Sequence, residues 1–261
     1  MNTLASWAEP LARALLLEPL PRRWAHSQGV AARARGLAAV LGADADLLEA
    51  AAWLHDIGYA PGPIFTGLHQ LDGAPYLRDA QHADAMLCRL VAHHSCAIIE
   101  AEERGLADVL SSAFEPAPYA LSSVLTYCDM ITSPDGGLVP AERRLAEIHD
   151  RYGPGHLVSR SIQRAAPMIL GAVKQVHNRA AHIAELREPR RTTHGRLLLR
   201  LVLIFYEGES RLPAASRPVT APAGSTRAVA ARPEMRGPRQ ARYVQLCDTW
   251  PWLRRACPQP R

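Results

Sequence analysis

His55-Asp56 follows the apolar run Ala50-Ala51-Ala52-Trp53-Leu54 and precedes Ile57-Gly58-Tyr59. An imidazole and a carboxylate at the end of a buried helix do not serve packing alone, because each loses water on burial and needs a partner. A divalent cation answers both. Mixed nitrogen and oxygen ligation suits Mn, Fe, Co, Zn or Mg better than a soft-metal site. Successive residues point about 100° apart around a helix axis, so the pair can share a cation only near a helix end. Gly58 is the expected stop. Other ligand-type residues stand apart along the chain: His26 upstream, then His69, the pair His93-His94, and Asp129. Such distant residues meet in an all-α chain only where facing helices project them into one centre.

The order His26, His55-Asp56, Asp129 resembles the metal-dependent HD phosphohydrolase superfamily, whose pattern is H…HD…D, over roughly the first 180 residues. The stretch His69-Gln70-Leu71-Asp72-Gly73-Ala74-Pro75-Tyr76-Leu77 is similar to the HxxxGAxxL stretch of members that bind two metals. Val91-Ala92-His93-His94 falls where that subset has its fourth histidine. The resemblance implies an all-α HD-domain helical bundle and one or two divalent ions. It implies that one ion takes His26, His55 and Asp129 and the other His69 and His93, with Asp56 and a hydroxide as bridges. His55 and Asp56 are then the catalytic pair; of the adjacent histidines one ligates, His93 being the first expectation, and the other, His94, turns to substrate or solvent. Arg22 and Arg23 are candidates to clamp phosphate oxygens, Arg23 being the one retained.

The chemistry so implied is hydrolysis of a phosphate ester by metal-activated water, with a small phosphorylated substrate and a nucleotide as the first expectation. Gly58-Tyr59-Ala60-Pro61 lacks the GYP form of cyclic-di-GMP phosphodiesterases, so that substrate is not assigned. Two alternatives stand beside hydrolysis. One is a di-iron oxygenase of the same superfamily that cleaves C–C or C–P bonds. The other is a non-catalytic regulator that binds a nucleotide. Tyr127 and Ser95 are read as packing or capping residues before any role in holding ligands. His82, His149, His156, His177, His182 and His194 are read as surface residues.

The elements that must position these residues read as helices. Residues 11–18 and 21–41 form two, broken at Pro19-Leu20-Pro21, and Asp46 with Glu49 forms a capping box opening the helix that carries His55-Asp56. A short helix runs from His69 to Leu77, and another from Asp79 to His94. Helical spacing continues over 97–104, 107–114, 119–131, 141–152 and 158–186. No alternation typical of strands interrupts it.

The 261 residues suffice for one domain and an extension. The net charge of +5 is unevenly spread. Residues 1–186 hold 15 basic and 20 acidic side chains, whereas residues 187–261 hold 15 and 5. The chain therefore divides into a catalytic domain over 1–186 and an Arg/Pro/Ala-rich tail over 187–261, expected to be largely disordered. Residues 197–206 form one short apolar element within it. The basic balance belongs to the tail and says nothing about nucleic-acid binding by the domain; salt-sensitive polyanion contact by the tail is a lesser expectation. Five cysteines without a CxxC pair suit a reducing, cytoplasmic setting. No signal peptide or membrane span is expected, and the sequence fixes no oligomeric state.

Overall fold

Ala and Leu at helical spacing build eleven α-helices among the described residues, 3–187, of a computed structural model. Expectations for 188–261, including the short element at 197–206 and the disordered tail, lie outside the described residues. The first compact unit spans Met1–Pro189.

Helix α1 (Leu4–Leu16) begins seven residues before its expected start, because two groups cap it. Thr3 accepts from the Ser6 amide at 3.2 Å, and Asp46 accepts from the amides of Leu4 and Ala5 at 2.7 and 3.0 Å. Asp46 therefore does not open its own helix. It lies within the first turn of α4 (Ala45–Leu54), and its side chain reaches across to the amide end of α1. The expected helix over 21–41 is split. Helix α2 (Pro21–Gly36) ends where Leu37 leaves helical backbone, and a one-turn α3 (Ala38–Leu41) follows before Gly42 at φ +60°.

The expected 79–94 helix also divides. Helix α5 (His69–Ala80) runs past Leu77, and His82 turns the chain at φ +50°. Asp84 then caps α6 (Ala85–His93) by accepting from Met86 and Leu87. Helices α7 (Ala97–Arg104), α8 (Ala107–Ala113), α9 (Tyr119–Met130), α10 (Ala141–Tyr152) and α11 (Leu157–Arg187) follow close to expectation. Among the described residues the sole β pairing is an isolated Thr132–Leu138 bridge, and no helix is long and apolar enough to cross a membrane.

Helix α4 packs against α1 and α2, and α9 against α11 and α2. Trp24 of α2 stacks on Trp53 of α4 with ring centroids 5.3 Å apart. The chief core lies among α1, α2, α4, α5, α6 and α9. A smaller one, with Met130, Leu145 and Ile169, joins α9 to α10 and α11.

Gly58 does a different job from the one its sequence position suggests. The turn it occupies lies against the start of α5, where a Cβ would stand 1.9 Å from the His69 carbonyl oxygen and 2.7 Å from the Gly73 amide. Both obstacles are backbone. Gly58→Ala is therefore expected to destabilise the fold by about 3 kcal/mol, measured as a shift in the urea midpoint, and to displace His69 from Asp56.

Candidate metal centre

Two helices end in the same way. His55 follows the last residue of α4 and its Nδ1 lies 2.8 Å from the Ala52 carbonyl. His94 follows α6 and its Nδ1 lies 2.8 Å from the Val91 carbonyl. A carbonyl only accepts, so each Nδ1 carries the proton and satisfies one of the orphan acceptors at a helix end. Each Nε2 of the neutral ring is then a bare lone pair. His26, on α2, is set likewise by the Ser133 carbonyl at 3.0 Å. That carbonyl is held there because Gly29 of α2 and Gly136 of the following loop meet where no Cβ fits: one on Gly29 would stand 2.5 Å from the Gly136 oxygen.

These lone pairs converge with two carboxylates. Ligand atoms of His26, His55 and Asp129 lie within 4.8 Å of one another, and so do those of Asp56, His69 and His94. His26 Nε2 is 3.0 Å from Asp129 Oδ1, and His69 Nε2 is 3.1 Å from His94 Nε2. Asp56 faces both sets. Its Oδ2 lies 3.3 Å from His55 Nε2 and 3.8 Å from His26 Nε2, while its Oδ1 lies 3.4 Å from His69 Nε2. All six residues are buried. A proton on His26 would serve Asp129 yet leave His55 Nε2, which is buried without any hydrogen-bond partner. Converging acceptors with too few protons between them fit divalent cations. Neighbouring ligands around an ion at about 2.1 Å stand ~3 Å apart, close to the shortest separations here.

Two groups hold the carboxylates from outside. Arg23 Nη1 donates to Asp56 Oδ2 at 2.7 Å, and its guanidinium lies 4.0 Å above the Tyr59 ring, which in turn stacks on His69 at 4.2 Å. Ser95 donates its hydroxyl to Asp129 Oδ2. Ser95 and Cys96 both have positive φ, +49° and +59°, a left-handed corner that costs non-glycine residues 1–2 kcal/mol each by the usual ~scale. The corner swings Ser95 back onto Asp129, with its amide bonded to Thr126 Oγ1.

Burial by itself would raise the Asp56 carboxyl, but Arg23 and the His55 imidazole hold it well below the usual carboxylate range. Burial likewise opposes ionisation of Asp129, and its contact with the His26 imidazole overcomes this and lowers its pKa. Burial depresses His94 to about 4, helped by His55, and depresses His69 well below its ordinary value. Burial opposes protonation of His55 too, but the Asp56 carboxylate outweighs it and raises that pKa. In metal-free protein His94 is thus neutral when folded, while the unfolded ring takes up a proton below pH ~6.5. Its contribution is complete above pH ~6.5 and is lost as pH falls toward 4, by roughly 3 kcal/mol. His69 acts in the same sense, whereas the contribution of His55 is lost at higher pH, as pH rises through its raised value. The urea midpoint in chelator is expected to fall between pH 7 and 4.5.

Of the expected site residues, His26, His55, Asp56, His69 and Asp129 come together. The adjacent histidines exchange places. His94, expected to face substrate, joins Asp56 and His69, and His93, expected in the cluster, has its Nε2 2.9 Å from the Phe114 carbonyl. The reason is that α6 extends through His93 and stops, so the first residue beyond it makes the inward turn. Arg22 points away and pairs with exposed Asp135 at 2.9 Å. Ser95 holds Asp129 rather than merely packing or capping. Tyr59 was passed over although it stands in the LHDIGY stretch. A cleft of about 510 Å³, counting its open mouth, lies beside the two sets and is lined by Arg23, Asp56, Tyr59, His69, His94 and Asp129 among others.

No curated protein and no solved structure matches the chain significantly. The HD domain family model matches residues 23–131, a span that runs from Arg23 through both sets to just past Asp129. Residues 23–131 are thus similar to an HD domain.

Proposed function

We propose that the protein is a metal-dependent phosphohydrolase that cleaves a small phosphorylated substrate, a nucleotide first among the candidates, in the cytoplasm. The observation that carries this reading is the pair of buried acceptor trios sharing the two oxygens of Asp56. His26, His55 and Asp129 would hold one ion, His69 and His94 the other, with Asp56 between them. Bound divalent ions supply hydroxide near neutral pH and offset charge on the phosphoryl oxygens. The protein's own share is positional. The Nδ1 anchors aim the imidazoles, Ser95 fixes Asp129, and Arg23 stands at the cleft edge between Asp56 and incoming phosphate oxygens. The described cysteines, Cys88, Cys96 and Cys128, are unbridged, in keeping with a reducing compartment.

The test is metal content per chain in protein purified without chelator, followed by phosphate release from a panel of nucleotides and other esters. About two ions per chain and release that chelator abolishes and added Mn²⁺ restores are expected. The second trio, completed by His69 and His94, also suits a di-iron oxygenase. Oxygen uptake by iron-loaded protein, with no phosphate released from any ester, would replace hydrolysis with that reading.

A further inference from the structure

The cleft has a second wall, built from residues beyond the HD-domain match. Arg144, Ile148, Arg151 and Tyr152 line it from α10, at spacings that put them on one helix face. The two arginines share one carboxylate. Arg144 Nη1 donates to Glu147 Oε2, and Arg151 Nε lies 3.3 Å from Glu147 Oε1. One negative charge therefore answers two positive ones. The other charges at the cleft are differently placed: Arg23 is paired with Asp56, and Glu100 with Arg104 at 2.6 Å. The Arg144 side chain is only 4% exposed, and its Nε has no acceptor. A buried guanidinium with an unused N–H beside a cleft is costly unless something anionic arrives to complete it.

We propose that α10 forms a second anion site, so that the substrate is acidic at two places. One is the phosphoryl group turned toward Asp56, and the other is a phosphate or carboxylate held by Arg144 and Arg151. The first half rests on the phosphohydrolase reading. The second half rests on α10 alone. Guanidinium forks suit both acids, since each offers paired oxygens.

Ligand length and charge test the site. The full chain loaded with Mn²⁺ is titrated calorimetrically with alkylphosphonates, ω-carboxyalkylphosphonates and α,ω-alkylbisphosphonates of matched chain length. At one length a doubly acidic ligand is expected to bind at least ~10-fold tighter than the alkylphosphonate, the scale of one charge-assisted hydrogen bond. The better of the two doubly acidic series identifies the second group. Arg144→Gln and Arg151→Gln should each bring that ratio close to unity. Arg151 is the safer substitution for folding, being 32% exposed, and circular dichroism melting checks both variants. A ratio near unity at every length, absence of binding, or a ratio that neither substitution changes overturns the site. Phosphate release with a ratio of unity removes the second anion and leaves the hydrolase. A ratio lost in the variants, without release from any ester, does the reverse.

Discussion

Asp56→Asn is expected to lower phosphate release by ~10³-fold or more, because Asp56 is the side chain that faces both trios. Losing one preorganised electrostatic group at a reacting centre costs ~10²–10³, and here the same change disturbs both sites. Asparagine still offers Arg23 an oxygen, so the guanidinium is not left bare in a buried setting and the chain should fold. Elemental analysis of the variant should give fewer ions per chain than the unaltered protein. Unchanged phosphate release and metal content would exclude this role for Asp56. Retained biological activity in an Asp56→Ala chain that releases no phosphate would favour a nucleotide-binding regulator.

Removing metal should have the next largest effect, read this time in stability. Free ion at ~10³ times its dissociation constant stabilises a protein by about 4 kcal/mol. For a domain of this size each kcal/mol moves the melting temperature by roughly 2–4 °C, so excess chelator should lower it by about 10 °C. The two adjacent histidines separate cleanly in this measurement. His94→Ala should abolish most of the metal-dependent difference, since its Nε2 is one of the converging acceptors. His93→Ala should leave the difference in place while lowering both melting temperatures, because it removes the bond to the Phe114 carbonyl. If His93→Ala erases the metal effect and His94→Ala does not, the assignment of the pair reverts to the sequence expectation.

Much of this arrangement was legible in residue types and spacing. The dyad after an apolar helix, a histidine before it and an aspartate after it place four of the six clustered residues, the stretch that begins at His69 adds a fifth, and helical periodicity gives an all-α fold. The failures have physical causes. Which of His93 and His94 turns inward depends on where α6 stops, and neighbours on a helix differ by about 100°, so a one-residue uncertainty reverses the answer. Asp46 fits a capping box by pattern, yet it accepts from the first amides of α1, 42 and 41 residues away in sequence. Gly58 reads as a stop signal, whereas the need is for room against the His69 backbone. Ser95 carries no local mark of its left-handed conformation. The α10 arginines sit on an evident amphipathic helix, but periodicity tells only that one face is covered, not what it faces.

The anchoring of His55 and His94 to carbonyls three residues back has a consequence for change over time. Helix length acts as the ruler of the centre. A residue inserted within α4 would leave a good helix and an intact hydrophobic content, yet it would turn the terminal imidazole by about 100°. Volume-conserving substitutions along α4 and α6 should therefore spare metal binding, while single insertions or deletions there should erase it in folded protein. A library of one-residue insertions, sorted first for folding and then for bound metal, would draw that boundary residue by residue.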